Sequence, residues 1–252
     1  MKSEAATKPG VSRPVVPFSW KGFGRGAKLA IPVVLGYFPV GFAFGVLAAG
    51  AGLTGSEAGL MSLLVYAGSA QLIAVDMFQV GITAASIILT TFVVNLRHML
   101  MSAALSPYFN GFPKSWLAAF SFEMTDETFA LHMSRLGTGS IDWGEIMGIN
   151  VTSHGAWLSA SLLGAFLGDI ITDVKVYGLD YALAGMFIAL LLPHCRIPRR
   201  LAAAVLAAVL AVLFTMNGLA DWSAILATGL SAAIIVAIPG ARREGRKETA
   251  HE

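Results

Sequence analysis

Eight stretches of this chain are each long and apolar enough to form a helix across a bilayer, and that repetition leaves few folds open. About 20 helical residues cover ~30 Å of hydrocarbon. Stretches of that length fall at approximately 28–50, 57–77, 80–104, 115–135, 142–167, 177–195, 198–217 and 221–240. Short turn-like breaks such as "AGLTGSE", "FQVG", "SPYFNGFPKS" and "GTGSID" divide them. Only 13% of the residues are charged and 56% are hydrophobic, whereas a soluble domain carries about a quarter charged residues. The expected fold is an all-α polytopic membrane protein of about eight transmembrane helices. Residues 1–27 read as a basic disordered cytoplasmic tail with no cleavable signal, 28–240 as the membrane domain, and 241–252 as a charged cytoplasmic tail.

Lys and Arg concentrate on the cytoplasmic side of membrane proteins. With eight spans threaded from a cytoplasmic N-terminus, both termini lie inside. All cations then fall on the cytoplasmic side except Lys114, Lys175 and the intramembrane Arg97. Cys195 is the only cysteine, so no internal disulfide forms. No internal repeat is evident.

The first five stretches carry polar groups that lipid does not tolerate. In "IPVVLGYFPVGFAFG", Pro39 lacks a backbone N–H and lies among Gly36, Gly41 and Gly45. This helix is expected to break at Pro39–Gly41 and aim the N–H groups of its second half at an anionic group. The alternative is a proline kink with glycines for close packing. The second stretch places Ser69 and Gln71 at mid-depth, where Gln71 requires a partner.

In the third stretch Asn95, His98, Ser102 and Ser106 share one helical stripe, and Arg97 points about 100° away from His98. An Arg at mid-membrane costs ~2.5–3.5 kcal/mol on insertion scales, so a partner is required. The fourth stretch offers Glu123 and Glu127 on one face with Asp126 beside them, and a second polar row of Ser121, Thr125, Thr128 and His132. If stretches three and four cross in opposite directions, Arg97 and Glu123 lie at similar depth, ~12 Å from the outer edge, with Asp126 and Glu127 at ~17 Å. Arg97 is expected to neutralise one carboxylate, leaving Asp126 or Glu127 for a substrate ammonium or a proton. In the fifth stretch Asn150, His154 and Trp157 share a face. His154 reads as a proton relay or as a hydrogen-bonded packing residue. No metal-ligand spacing, phosphate loop or nucleotide fingerprint appears, so no cofactor, metal or nucleic acid is expected.

"GYFPVGFAFG" (36–45), "AGSAQ" (67–71), "NLRHMLMSAALSPY" (95–108) and "MTDETFAL" (124–131), in that order and spacing, resemble the AzlC-type large subunit of two-component branched-chain amino acid exporters. The resemblance covers roughly residues 20–160. It implies a secondary exporter of leucine, isoleucine and valine in the plasma (inner) membrane, driven by the proton gradient, with a small AzlD-type membrane partner. An apolar amino acid is a zwitterion and needs a positive group, a negative group and an apolar wall. The candidate substrate-binding residues are Phe38, Gly41, Phe42, Ser69, Gln71, Asn95, His98 and Asn150, with Phe44 a further candidate for the apolar wall. Those for ion pairing or proton coupling are Arg97, Glu123, Asp126, Glu127 and His154. Two other classes fit less of the sequence: an intramembrane serine hydrolase using Ser69 with His98 or His154, and a non-transporting membrane anchor that leaves the buried ions unexplained.

Overall fold

The computed structural model describes residues 15–109, 112–136, 141–168, 197–218 and 220–238, with isolated positions at 181, 185, 188, 192 and 195. Most of both tails and nearly all of the sixth apolar stretch lie outside the described residues. The chain divides into two compact units, Met1–Met186 and Phe187–Glu252.

The first unit is built around three long helices. Helix α1 (Trp20–Leu29) is capped by Ser19, whose hydroxyl accepts the Gly22 N–H at 3.0 Å, and leads almost directly into α2 (Ile31–Gly50). Helix α8 (Trp143–Leu167) is capped by Asp142 and lies alongside them. A two-residue parallel pairing of β1 (Val15–Val16) with β2 (Ile141–Asp142) starts both runs together. The contact is parallel and very close because glycines meet backbone. A Cβ on Gly26 would lie 2.0 Å from the Glu145 carbonyl oxygen, and one on Gly45 would lie 2.1 Å from that of Ser161. At the end where α1 begins, here the near end, Arg25 pairs with Asp142 and Glu145, and Arg135 also pairs with Glu145.

Between α2 and α8 the chain does something the hydropathy profile does not show. Helix α3 (Gly55–Leu64) starts at the far end on a capping box in which Thr54 and Glu57 each bond the other's backbone N–H. It stops at mid-depth. After Val65–Ala67, where Tyr66 takes the left-handed φ of 40°, helix α4 (Gly68–Gln79) returns to the far end. The return is fixed by contacts that pair residues across the turn. Gln71 donates to the Ser62 hydroxyl at 3.0 Å, Val75 packs in one cluster with Ala58, and Gln79 reaches the Leu47 carbonyl near the end of α2. An apolar cavity of about 390 Å³, lined by Leu53, Glu57, Met61, Val75 and Phe78, opens at that end.

Helix α5 (Ala84–Leu105) then runs the full depth to the near end, extended by a 3-10 turn at Ser106–Phe109. A second fold-back follows. Helix α6 (Lys114–Phe122) rises from the near end, the chain turns at Glu123–Thr125, and α7 (Asp126–Leu136) goes back. Phe120 lies 5.0 Å from His132 across this turn, and Trp116 stacks on Trp143 at the start of α8 with centroids 4.7 Å apart. The order through-going helix, half-helix, half-helix therefore occurs twice, as α2–α3–α4 and α5–α6–α7, entering from opposite ends. This is the inverted-repeat plan of many secondary transporters.

Three expectations are corrected. Helix α2 is continuous with Pro39 inside it, so no break opens at Pro39–Gly41; Gly41 and Gly45 serve close packing against α8. The second and fourth apolar stretches are re-entrant hairpins and not crossings. Their length matches a crossing only because two half-depth helices add up to one full depth. An internal repeat exists in the architecture although the sequence shows none. The hairpins also reverse α5, which brings Lys114 to the end that holds Lys21, Arg25, Lys28 and Arg135.

Helices Ile31–Gly50, Ala84–Phe109 and Pro198–Met216 are each long and apolar enough to cross a membrane. On α5 the exposed side chains Ile88, Leu89, Phe92, Leu96, Met99 and Leu100 are all apolar, while Asn95, Arg97 and His98 are partly buried. That is the polarity expected of a helix with lipid on one side and protein on the other. The second unit contains α9 (Pro198–Met216) and α10 (Ala220–Ala237), an antiparallel pair turning at Gly218 (φ 80°) and tied by the Ser231 hydroxyl to the Ala203 carbonyl at 2.7 Å.

Candidate functional site

The tips of the two hairpins come together near the midpoints of α5 and α8, and the intramembrane charges gather there. Each tip places a helix C-terminus and a helix N-terminus side by side, hence unpaired carbonyls next to unpaired N–H groups. The N-terminus of α7 is finished internally. Thr125 N–H donates to the Thr128 hydroxyl at 2.8 Å, and Thr128 N–H donates to the Thr125 hydroxyl at 3.3 Å. This reciprocal cap closes the start of a helix whose first residues are Asp126 and Glu127, where the dipole favours negative charge. The N-terminus of α4 has no such side-chain cap.

Each of the three acidic residues has a different partner. Asp126 Oδ2 lies 2.8 Å from Arg97 Nη1, and Arg97 Nη2 donates to the Ser69 hydroxyl at 2.5 Å. One guanidinium on α5 thus joins the first residues of α4 to the first residue of α7. Glu127 accepts from the Tyr37 hydroxyl at 2.7 Å, and the same hydroxyl lies 2.5 Å from Thr125 Oγ1, which attaches the second tip to α2. Glu123 receives His154 Nδ1 at 3.0 and 3.1 Å, while His154 Nε2 points at the Ser62 carbonyl in the last turn of α3 at 3.1 Å. The His154 ring stacks on Tyr66 with centroids 3.9 Å apart. One imidazole on α8 therefore touches both tips.

The surrounding wall is aromatic and well packed. Trp157 lies edge-on to Tyr37 at 5.4 Å, stacks on Phe44, and donates through Nε1 to Gln71 at 3.0 Å. Gln71, fully buried, is committed to Ser62 and Trp157. Asn150 bonds His132 Nε2 at 2.7 Å, one helical turn nearer the α8 N-terminus than His154. Asn95 Oδ1 and His98 Nε2 on α5 have no hydrogen-bond partner among the described residues.

Ser69, Arg97, Glu123, Asp126, Glu127 and His154 are thus assembled in one place. Gln71 and Asn150 stand behind them, and Asn95 and His98 beside Arg97. Phe38 is exposed, Phe42 has its backbone against Gly164, and Gly41 packs on Trp157, so these three do not join the cluster. Ser69 accepts from Arg97, and both ring nitrogens of His154 contact other groups, so no Ser69–His154 hydrogen bond is present among the described residues. Sequence reasoning missed Tyr37, Ser62 and Tyr66. For Tyr37 a signal exists: a tyrosine hydroxyl inside an apolar stretch needs a partner.

Comparison with known proteins follows this geometry. A family model described as AzlC protein matches residues 32–171, which spans both hairpins and all three long helices of the first unit. An uncharacterized membrane protein of Archaeoglobus fulgidus is 32% identical over 200 residues, 78% of this chain and 86% of that protein. The inner membrane protein YgaZ of Escherichia coli is 33% identical over 150 residues, 58% of this chain and 61% of that protein. The branched-chain amino acid transport protein AzlC of Bacillus subtilis is 23% identical over 172 residues, 68% of this chain and 67% of that protein. No solved structure matches. With relatives named as membrane proteins and a family match over its entire site-bearing region, the chain belongs to the AzlC family.

Proposed function

We propose that this protein is a secondary transporter that exports branched-chain and other apolar amino acids across the plasma (inner) membrane at the expense of the proton gradient. The observation that carries the reading is the meeting of two half-helix tips at mid-depth around Arg97, Asp126, Glu123 and His154. Irregular backbone at that depth is tolerated only where protein buries it or a polar cavity is lined by it, and broken helices meeting at mid-depth are the usual form of a transporter's substrate site. The membership of a B. subtilis protein named for branched-chain amino acid transport in the same family supports the substrate class.

In this reading the uncapped start of α4, with Ser69 and Arg97, takes the amino acid carboxylate, a role that α2 cannot fill without a break. Asp126 or Glu127 receives the ammonium. Trp157 and Phe44 meet the side chain. The gathering of Lys21, Arg25, Lys28, Lys114 and Arg135 on one end supports a cytoplasmic location for that end. A small AzlD-type membrane subunit completes the transporter.

The test is efflux of labelled leucine from proteoliposomes carrying this chain, with and without the small subunit, under an imposed pH gradient. The proposal expects gradient-dependent efflux that Asp126→Asn lowers by about tenfold or more, the scale of losing one charged contact. Leucine flux indifferent to the gradient in the presence of both subunits contradicts it.

A further inference from the structure

We propose that the transported proton is carried by the Glu123–His154 pair, and that its presence clasps the two hairpin tips together. The inference deepens the transport reading and rests on it for the substrate, but not for the proton.

The geometry sets the proton count. Both ring nitrogens of His154 face acceptors, Nδ1 the Glu123 carboxylate and Nε2 the Ser62 carbonyl. A neutral imidazole has one N–H and satisfies one of them. Satisfying both requires one added proton, carried on the ring opposite an ionised Glu123 or on the carboxyl opposite a neutral ring. Loading takes one proton from water, forms one N–H or O–H bond, and changes the pair's net charge from −1 to zero. Release returns that proton to the opposite face.

Without the proton one contact fails. If the remaining N–H stays on Ser62, the Nδ1 lone pair faces carboxylate lone pairs. If it stays on Glu123, a buried carbonyl of α3 loses its donor. Either way one hairpin tip loses its contact with the His154 ring, and repacking of Tyr66, stacked on the same ring, follows.

The neighbouring ionisable groups are less suited. Asp126 already has a permanent counter-charge in Arg97, 2.8 Å away. Glu127 is tied to Tyr37 on α2. Tyr66 at the first tip stacks on the His154 ring, and His98 on α5 lies beside Arg97 and Asp126.

The experiment has two arms on the full-length protein in lipid vesicles. Infrared pH titration of the substrate-free protein is expected to show a titrating band, the carboxyl C=O of a protonated Glu123 or the ring mode of a protonated His154, that is lost or shifted in both Glu123→Gln and His154→Gln and retained in Asp126→Asn. In the transport arm, Glu123→Gln loses uphill leucine accumulation driven by a pH gradient, and the pH profile of whatever labelled-leucine counterflow it retains is flat. A titrating band unchanged in Glu123→Gln, or gradient-driven accumulation with the wild-type pH profile in that variant, overturns the proposal. Absent leucine counterflow in the wild type counts against the substrate reading alone, since the infrared arm still decides where the proton sits.

Discussion

Arg97 is the residue on which the assembled site depends most, because its one side chain holds the starts of two half-helices together. Its side chain and that of Asp126 are 28% and 27% exposed, so the pair is neither fully buried nor freely solvated. Removing one member leaves a charge at mid-depth without its counter-charge, whereas removing both leaves none. Arg97→Gln and Asp126→Asn are each expected to lower stability by on the order of 2 kcal/mol. The double variant should lose clearly less than the sum, read from thermal unfolding in detergent or bicelles. Strictly additive losses would mean that the two side chains do not interact. The need for this pair was legible in the sequence, because an intramembrane Arg demands an acid. Which acid was not. The depth argument favoured Glu123 because it assumed that the fourth stretch crosses the membrane, and the fold-back at Glu123–Thr125 sends Asp126 to Arg97 instead.

Among the elements, the glycines of α1, α2 and α8 set how closely the through-going helices approach. Gly45 and Gly164 each face partner backbone at 2.1 Å from an added Cβ, while Gly36 on the same helix as Gly45 has nothing within 4 Å. Gly45→Ala or Gly164→Ala is expected to force the helices apart and lower stability by about 1–3 kcal/mol. Gly36→Ala should be neutral or stabilising by up to about 1 kcal/mol, since alanine is the better helix former. Melting temperatures of the three variants decide it. Equal behaviour at positions 36 and 45 would mean that α2 and α8 do not touch as described.

The same elements explain what sequence reading could and could not see. Thr125-Asp126-Glu127-Thr128 is a helix-start pattern, a capping threonine followed by acids, and it marks the second tip within an otherwise continuous stretch. It was read as a polar face because hydropathy placed it mid-span. Pro39 drew attention the other way: a proline inside a membrane helix is tolerated where packed neighbours support it, and α2 continues through it.

At the scale of the whole molecule, the central claim is a topology. In the first unit two hairpins enter from opposite ends and meet at mid-depth, so that three full-length helices and two hairpins occupy the place of five apolar stretches. Hydropathy measures how much apolar chain is present and is blind to whether it crosses or returns; only contacts such as Gln71–Ser62 and Gln79–Leu47 reveal the return. The re-entrant arrangement also moves Lys114 to the cation-rich end, so the described cations of the first unit other than the intramembrane Arg97 lie together there.

Single exposed cysteines at Ser56, Val80, Ser115 and Ser134, in a chain with Cys195 replaced, report this directly through a membrane-impermeant thiol reagent on intact cells. The hairpin topology predicts that Ser56→Cys and Val80→Cys label from one side, and that Ser115→Cys and Ser134→Cys label together only from the other. Labelling of positions 56 and 80 from opposite sides, or of 115 and 134 from opposite sides, would restore a crossing in place of a hairpin and contradict the account.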